Sequence, residues 1–199
     1  MKKLLLVIAA VFSINANAAI ITVTTDKSQY ELNEIITATV TVSDLIDGVG
    51  VQTLLSGFDL SLTSLLDNSE YVANSVTFGA NIVDVSDALA FESVLGLGSF
   101  VGVVQIASFF TDTFALQAGL NAFELFSVEF EALAVGSDTL VIGPNASPDL
   151  LSDFFGDGVT AVTVDADYTV VAATVSEPAT FGAVLLILTL LMAFRREQR

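Results

Sequence analysis

FELFSVEFEALA, residues 123–134, is the longest alternation of apolar and polar side chains in the body of the chain. The period of two is that of a β-strand, in which successive side chains point to opposite faces of the sheet. We therefore predict a half-buried strand here. Its inward residues are Phe126, Val128 and Phe130, and its outward residues are Ser127, Glu129 and Glu131.

Shorter segments on both sides of this strand repeat the pattern. Strands are predicted at 20–24, 36–42, 58–62, 71–78, 101–109, 139–142, 159–164 and 168–175. Turn signals such as Asp47-Gly48 and Asp157-Gly158 separate them. Residues 84–98 fit either a loop with a helical turn or a weak hairpin, and Ser147-Pro148 has the form of a short helix start. About nine strands, with no helix long enough to cover a sheet, predict an all-β, two-sheet antiparallel sandwich.

The N-terminus has the three parts of a secretory signal peptide. Met1-Lys2-Lys3 is basic, residues 4–12 are apolar, and Ala16-Asn17-Ala18 is an A-x-A cleavage site. Cleavage after Ala18 would leave Ala19 as the first mature residue. We therefore assign residues 1–18 to a signal peptide and leave them out of the fold.

The C-terminus is a short polar motif, an apolar segment and a basic end. Ser176-Glu177-Pro178 precedes residues 179–194, which carry no charge, and Arg195, Arg196 and Arg199 follow. A helix of this length rises about 24 Å, enough for a thin transmembrane anchor when the flanking arginines snorkel. The arginines are expected to stay cytoplasmic, which places the body of the chain outside the membrane.

This tail resembles the PEP-CTERM sorting signal of Gram-negative bacteria, with Ser176 where that motif has its first proline. The resemblance covers residues 176–199. It implies recognition by an exosortase, a membrane-embedded cysteine transpeptidase, with cleavage near Glu177-Pro178. The expected route is a transient stay in the inner membrane, followed by release to the cell surface or extracellular matrix. An ordinary single-pass tail anchor is the alternative.

Charge and missing residue types limit what residues 19–175 can do. They contain 21 acidic residues and one basic residue, Lys27, a net charge of −20. Such a surface repels nucleic acid and anionic membranes. The chain has no cysteine and no histidine, which argues against structural zinc, thiol catalysis and a Ser-His-Asp triad. Glu129 and Glu131 could form a glycosidase pair, but solvation on a strand face is the simpler account, so we expect no enzyme.

A second resemblance covers nearly the whole body. The segments that carry it are residues 30–34, 56–62 (SGFDLSL), 65–67, 71–72 and 123–142. In these the chain is similar to a cohesin domain, in which a Gly-Phe-Asp-type strand leads to an aspartate-containing turn and a further strand. The resemblance implies a nine-stranded jelly-roll sandwich. It also implies a sheet face that binds a protein partner such as a dockerin-like domain, and cohesin-like modules occur on PEP-CTERM proteins.

The acidic residues near the end of the body suggest one possible metal site. Asp153, Asp157, Asp165 and Asp167 lie in loops on either side of one predicted strand, and calcium takes six to eight oxygen ligands. No EF-hand spacing is present, and a solvated acidic surface is the competing account. The leading hypothesis is an exported, noncatalytic surface or extracellular-matrix protein that binds a protein partner. The alternative is a carbohydrate-binding or structural module of the exopolysaccharide layer.

Overall fold

The structure is a computed structural model, and it describes residues 18–173 except Val85 and Phe110. The sorting motif, the apolar segment 179–194, the C-terminal arginines and all of the signal peptide except Ala18 lie outside the described residues. Within the described part, no helix has both the length and the apolar character needed to cross a membrane. The predictions for the two ends therefore stay predictions.

The described residues form fourteen strands and one short helix. In chain order these are β1 (Ala19–Thr25), β2 (Gln29–Glu31), β3 (Ile35–Ser43), β4 (Leu55–Ser64), β5 (Ser69–Tyr71), β6 (Thr77–Phe78), β7 (Phe91–Leu97), β8 (Phe100–Ile106), α1 (Thr113–Gln117), β9 (Phe123–Ala132), β10 (Gly136–Pro144), β11 (Leu151–Asp153), β12 (Gly158–Val159), β13 (Ala161–Val164) and β14 (Ala166–Val171).

Two sheets pack face to face. The first sheet has the order β13-β1-β3-β9-β5, with β6 also paired to β9. The second has the order β12-β11-β4-β10-β14-β2, and β8 lies on the opposite side of β4 with β7 beyond it. Most pairs are antiparallel, but β1 pairs with β13 and β14 pairs with β2 in parallel. The two-sheet all-β sandwich predicted from the sequence is confirmed.

The core lies between the sheets and follows the predicted alternation. β3 and β9 pair in antiparallel register, with Ile36 opposite Phe130 and Ala38 opposite Val128. All four are buried, as is Phe126, whose ring stacks on Phe58 of the other sheet at 5.6 Å between centroids. Burial of these apolar side chains is the main force that holds the two sheets together.

Several local predictions differ from the structure. Residues 71–78 are not one strand, because the chain leaves the sheet after Tyr71 and pairs again only at β6. Residues 84–98 divide into a loop and the full strand β7, which Gly98 joins to β8 with a positive φ of 57°. The predicted helix at Ser147 is absent among the described residues, since β11 pairs with β4 there. The one described helix, α1, lies elsewhere and begins at Thr113, and the carboxylate of its N-cap residue Asp112 accepts from Ala115 N–H.

Candidate functional site

The most buried carboxylate in the described part of the chain is Asp138, on β10. Buried carboxylates often have shifted pKa values and catalytic roles, so Asp138 is the first residue to consider. Its Oδ1 accepts the backbone N–H groups of Leu66 and Thr139 at 2.9 and 2.7 Å. Its Oδ2 accepts Asn68 N–H at 3.1 Å, the Tyr168 hydroxyl at 3.2 Å and the Ser64 hydroxyl. Both oxygens are therefore occupied by protein donors.

These bonds make Asp138 a structural carboxylate. Burial alone would raise the pKa of Asp138, but the hydrogen bonds from Ser64 and from the Thr139, Leu66 and Asn68 backbone outweigh it and lower that pKa. The ionised side chain fastens the turn between β4 and β5 to β10. No acceptor capacity is left for a substrate proton, so we assign no catalysis to it.

The four aspartates considered for calcium lie in two separate places: Asp153 and Asp157 at the β11–β12 hairpin, and Asp165 and Asp167 at the start of β14. Asp153 Oδ1 accepts Phe155 N–H at 2.8 Å and Asp157 N–H at 2.9 Å, which closes the turn between β11 and β12. Asp165 accepts Ile142 N–H at 3.0 Å, and Asp167 accepts the Thr139 hydroxyl at 2.7 Å. Across the described residues, no group of three or more acidic side chains is placed to hold a metal ion. The structure therefore does not bring these four together as one site.

The outer surface of the β7–β8 hairpin carries exposed apolar side chains. Phe91 lies opposite Ile106, and Leu97 lies opposite Phe100. We call the following set the β7–β8 face: Phe91, Leu95, Leu97, Phe100, Val104 and Ile106. Leu97 is 79% exposed and Leu95 63%. A cluster of exposed apolar side chains of this kind typically marks an interaction site.

Two adjoining cavities extend this face towards the β11–β12 hairpin. One, of about 310 Å³, is lined by Asp59, Val104 and Ser147 among others. The second, of about 270 Å³, is lined by Phe109, Phe154 and Phe155. They share Ser56, Ile106 and Gly156 and so form one groove across β4 and β8, which we call the outer groove.

The phenylalanines of the outer groove correct two predictions. From the sequence, we expect Phe154 and Phe155 to pack on the core and residues 101–109 to form a buried strand. Instead Phe155 is 85% exposed and Phe109 98%. Strand β8 ends at Ile106, and the Asp153 carboxylate closes a turn that leaves both rings of the Phe154-Phe155 pair outside the core.

Acidic groups surround this apolar surface. The Asp59 carboxylate lies at the groove and accepts the N–H groups of Ala146 and Ser147. Asp149 lines the same cavity, and its carboxylate lies so close to Gly158 that a Cβ there would come within 2.6 Å of it. Lys27, the only basic residue between 19 and 175, lies next to β2 and forms an ion pair with Glu34. A partner that presents apolar side chains flanked by lysine or arginine would complement this surface in both shape and charge.

The architecture has clear counterparts among solved structures. A type II cohesin domain from the cellulosome of Acetivibrio cellulolyticus aligns with a TM-score of 0.60 at 16% identity, over 76% of this chain and 95% of that one. The fold is that of a cohesin domain. A non-cellulosomal cohesin from the archaeon Archaeoglobus fulgidus aligns with a TM-score of 0.53 at 14% identity, over 79% and 94% of the two chains.

A third counterpart was solved in a complex. The cohesin of a type II cohesin–X–dockerin complex from Acetivibrio cellulolyticus aligns with a TM-score of 0.59 at 17% identity, over 77% of this chain and 99% of that one. No protein-family model and no curated protein sequence matches the chain. At these identities the likeness establishes the cohesin fold, and the function has to be argued from the surface of this chain.

The sequence contains a signal for the β7–β8 face that is easy to misread. Residues 91–97, FESVLGL, alternate with Phe91, Ser93, Leu95 and Leu97 on one side and Glu92, Val94 and Gly96 on the other. The usual expectation places the more apolar side in the core. In this cohesin fold that side faces outward, and the side with the glutamate and the glycine faces the first sheet.

Proposed function

We propose that the chain is a noncatalytic binding module, whose cohesin-like sandwich takes a protein partner on the β7–β8 face and the outer groove. The observation that carries this proposal is the cluster of exposed apolar side chains formed by Phe91, Leu95, Leu97 and Ile106 next to the phenylalanine-lined groove. Exposed aromatic and aliphatic side chains of this type supply the desolvated centre of protein interfaces.

The expected partner presents apolar side chains with basic residues around them. The domain's net charge of −20 steers such a partner towards it and disfavours acidic ones. A dockerin-like domain is the partner that we propose, and the cohesin fold supports it because a cohesin of this fold was solved in complex with a dockerin.

We also propose that the protein is exported and sorted. The signal peptide at residues 1–18 would direct it across the inner membrane, and an exosortase would process the tail at Ser176-Glu177-Pro178. Its final location would be the cell surface or the extracellular matrix. The support for this part is the pattern at the two ends of the sequence.

A surface-specific capture experiment tests the binding function. The full-length chain is immobilised beside two face variants, Leu95→Asp and Ile106→Asp, and a control, Val162→Asp. Val162 is 55% exposed on β13 of the other sheet, so the control adds the same charge away from the face. A protein captured from envelope extract is identified, purified and titrated against all four chains. We expect the face variants to weaken binding at least tenfold and the control to leave it unchanged.

Equal binding by all four chains would contradict the proposed surface. Melting curves of each variant ensure that the loss reflects the surface and not unfolding. Because the substituted side chains are exposed, we expect little change in stability.

Binding to an exopolysaccharide is the second candidate function. The exposed rings of Phe109, Phe154 and Phe155 in one cavity favour it, since aromatic faces provide apolar platforms for a ligand. A polysaccharide panel separates the two candidates. Retention of a polysaccharide that Phe155→Ala abolishes, with no protein captured through the β7–β8 face, would favour the carbohydrate function.

A further inference from the structure

In the described part of the chain, strand β7 is an open edge of the second sheet, with one charged residue, Glu92. Among the described residues it pairs with β8 alone, and all seven of its residues are exposed. Natural edge strands are commonly blocked by lysine, proline or a bulge. Residues 91–97 contain neither lysine nor proline, and their register with β8 runs without a shift from Phe91 to Leu97.

The hairpin geometry identifies which backbone groups lie on the open side. Gly98 and Ser99 form a two-residue turn, so the closing pair Leu97 and Phe100 exchanges hydrogen bonds within the hairpin. In an antiparallel pair the bonded positions alternate, which directs the N–H and C=O groups of Glu92, Val94 and Gly96 away from β8. The open side of β7 thus carries the backbone donors and acceptors of three alternate residues.

Behind this edge, Tyr71 of the first sheet donates its N–H to the Gly98 carbonyl at 2.8 Å, and the two sheets leave a cleft beside this contact. A cleft of about 400 Å³ lies between β7 and the first sheet, lined by Tyr71, Ala73, Asn74, Val76, Val94 and Gly96. The Tyr71 ring lies so close to Gly96 that a Cβ there would come within 2.0 Å of it. A strand added beside β7 would place every second side chain in this cleft and would extend the β7–β8 face with the others.

Acidic groups lie at both ends of the edge. Glu92 is the second residue of β7, and its carboxylate accepts from the Gln105 side chain at 2.8 Å. Asp87 precedes the strand, and hydrogen bonds from the Thr111 and Ser108 hydroxyls lower the pKa of Asp87 to about 2. At the other end, the Ser99 hydroxyl donates to Asp67. An incoming strand with a basic residue at each end would be matched to these charges, whereas a second copy of this domain would bring another −20.

We propose that the partner binds by adding an extended strand to the open edge of β7, with alternate apolar residues entering the Tyr71–Val94 cleft and lysine or arginine at both ends. This proposal rests on the proposed protein-binding function and specifies how the partner engages that side of the domain. Main-chain hydrogen bonds supply affinity in this mode, and the cleft supplies selection of side chains.

The probe for the test is a synthetic peptide, Lys-Val-Thr-Val-Thr-Val-Lys, titrated into the full-length chain in mild detergent. Amide hydrogen exchange is followed by NMR. We expect saturating peptide to slow exchange at Glu92, Val94 and Gly96 at least tenfold, because these N–H groups gain acceptors. The same peptide N-methylated at every internal backbone nitrogen should give no protection, because neither of its edges can complete the ladder.

A matched pair of variants acts at the centre of the edge. Val94→Pro removes the central outward donor, and proline is tolerated at edge positions whose N–H faces solvent. Val94→Thr keeps the donor and nearly the same shape. We expect the proline variant to lose peptide binding and the threonine variant to retain it. The N-methylated peptide keeps the test decisive even if Val94→Pro lowers stability.

Three results would overturn the edge proposal. The first is that the N-methylated peptide binds as tightly as the unmodified one. The second is that saturating peptide does not slow hydrogen exchange at Glu92, Val94 and Gly96. The third is that exchange at these amides slows with rising protein concentration in the absence of peptide, which would indicate pairing with a second copy. Any of them, with a captured partner still lost in Leu95→Asp and Ile106→Asp, would leave the proposed binding function standing. If Leu95→Asp and Ile106→Asp both keep full binding of the captured partner, the proposed binding surface and the edge proposal are both refuted.

Discussion

Replacing Asp138 by asparagine should destabilise the domain strongly, although the side chain keeps its size. Asp138 is 4% exposed and accepts from three backbone N–H groups and two hydroxyls. Asparagine offers one acceptor oxygen and one NH₂ group. Whichever way the amide is turned, the NH₂ faces donors that formerly had an acceptor.

The geometry sets the expected magnitude. If the NH₂ takes the Oδ1 position, the N–H groups of Leu66 and Thr139 lose their acceptor. If it takes the Oδ2 position, Asn68 N–H loses its acceptor while the Ser64 and Tyr168 hydroxyls can rotate. The second orientation costs less because it leaves a single backbone donor without an acceptor. Such a buried donor costs about 1–3 kcal/mol, so we expect a loss of about 1–3 kcal/mol in the free energy of unfolding.

Urea unfolding at pH 7, followed by circular dichroism, measures this loss. With a dependence on urea of about 2 kcal/mol per molar, the midpoint should fall by about 0.5–1.5 M. The control is Asp167→Asn. Asp167 is exposed and accepts only the Thr139 hydroxyl among its side-chain hydrogen bonds, so its loss should stay below about 1 kcal/mol. Equal effects of the two substitutions would refute the structural role of Asp138.

The pH dependence provides a second check. Because the pKa of Asp138 is lowered in the folded state, its ionised form stabilises the fold at pH values above the unfolded-state pKa of about 3.9. That contribution is lost as pH falls through the lowered native pKa. The stability difference between the wild type and Asp138→Asn should therefore be constant above about pH 5 and shrink below about pH 4. Comparing the two proteins cancels the other carboxylates.

Three further outcomes are expected. Phe126→Ala should lower the free energy of unfolding by about 3–5 kcal/mol, because the side chain is fully buried. Phe155→Ala should change it by less than about 1 kcal/mol, because that ring is exposed. Similar losses for the two variants in urea unfolding would contradict this packing. Calcium, magnesium and sodium at equal ionic strength should raise the melting temperature equally, because the described residues assemble no group of three acidic ligands; a saturable calcium effect that Asp157→Asn weakens would reverse this. Replacement of Pro178 should block C-terminal processing in a host with an exosortase, and intact-mass measurement would detect the retained tail; unchanged processing would leave only a plain anchor.

The sequence alone was sufficient for the layers of the sandwich and for much of its core. In β3 and β9, period-two alternation separates apolar from polar positions over residues 36–43 and 126–132, so the buried face follows from local pattern there. The pattern does not reveal the register shift before Phe126, where Leu125 and Phe126 are both buried. Phe58, Leu60, Phe126, Val128 and Phe130 are predicted to be core residues, and all five are buried. Short strands such as β5 and β6 escape prediction because two or three paired residues leave no readable period.

The candidate binding surface was decided by the tertiary structure. Alternation in residues 91–97 defines two faces, but only the position of β7 beyond β8, at the edge of the sheet, turns Phe91, Leu95 and Leu97 towards solvent. Similarly, 21 acidic residues between 19 and 175 give no local sign that Asp138 is the one enclosed by the turn at 65–68 and by Tyr168. Both features depend on contacts between residues that are far apart in the chain, such as the 74 positions between Ser64 and Asp138. Local periodicity reports which residues share a face, and it carries no information about which distant strand covers that face.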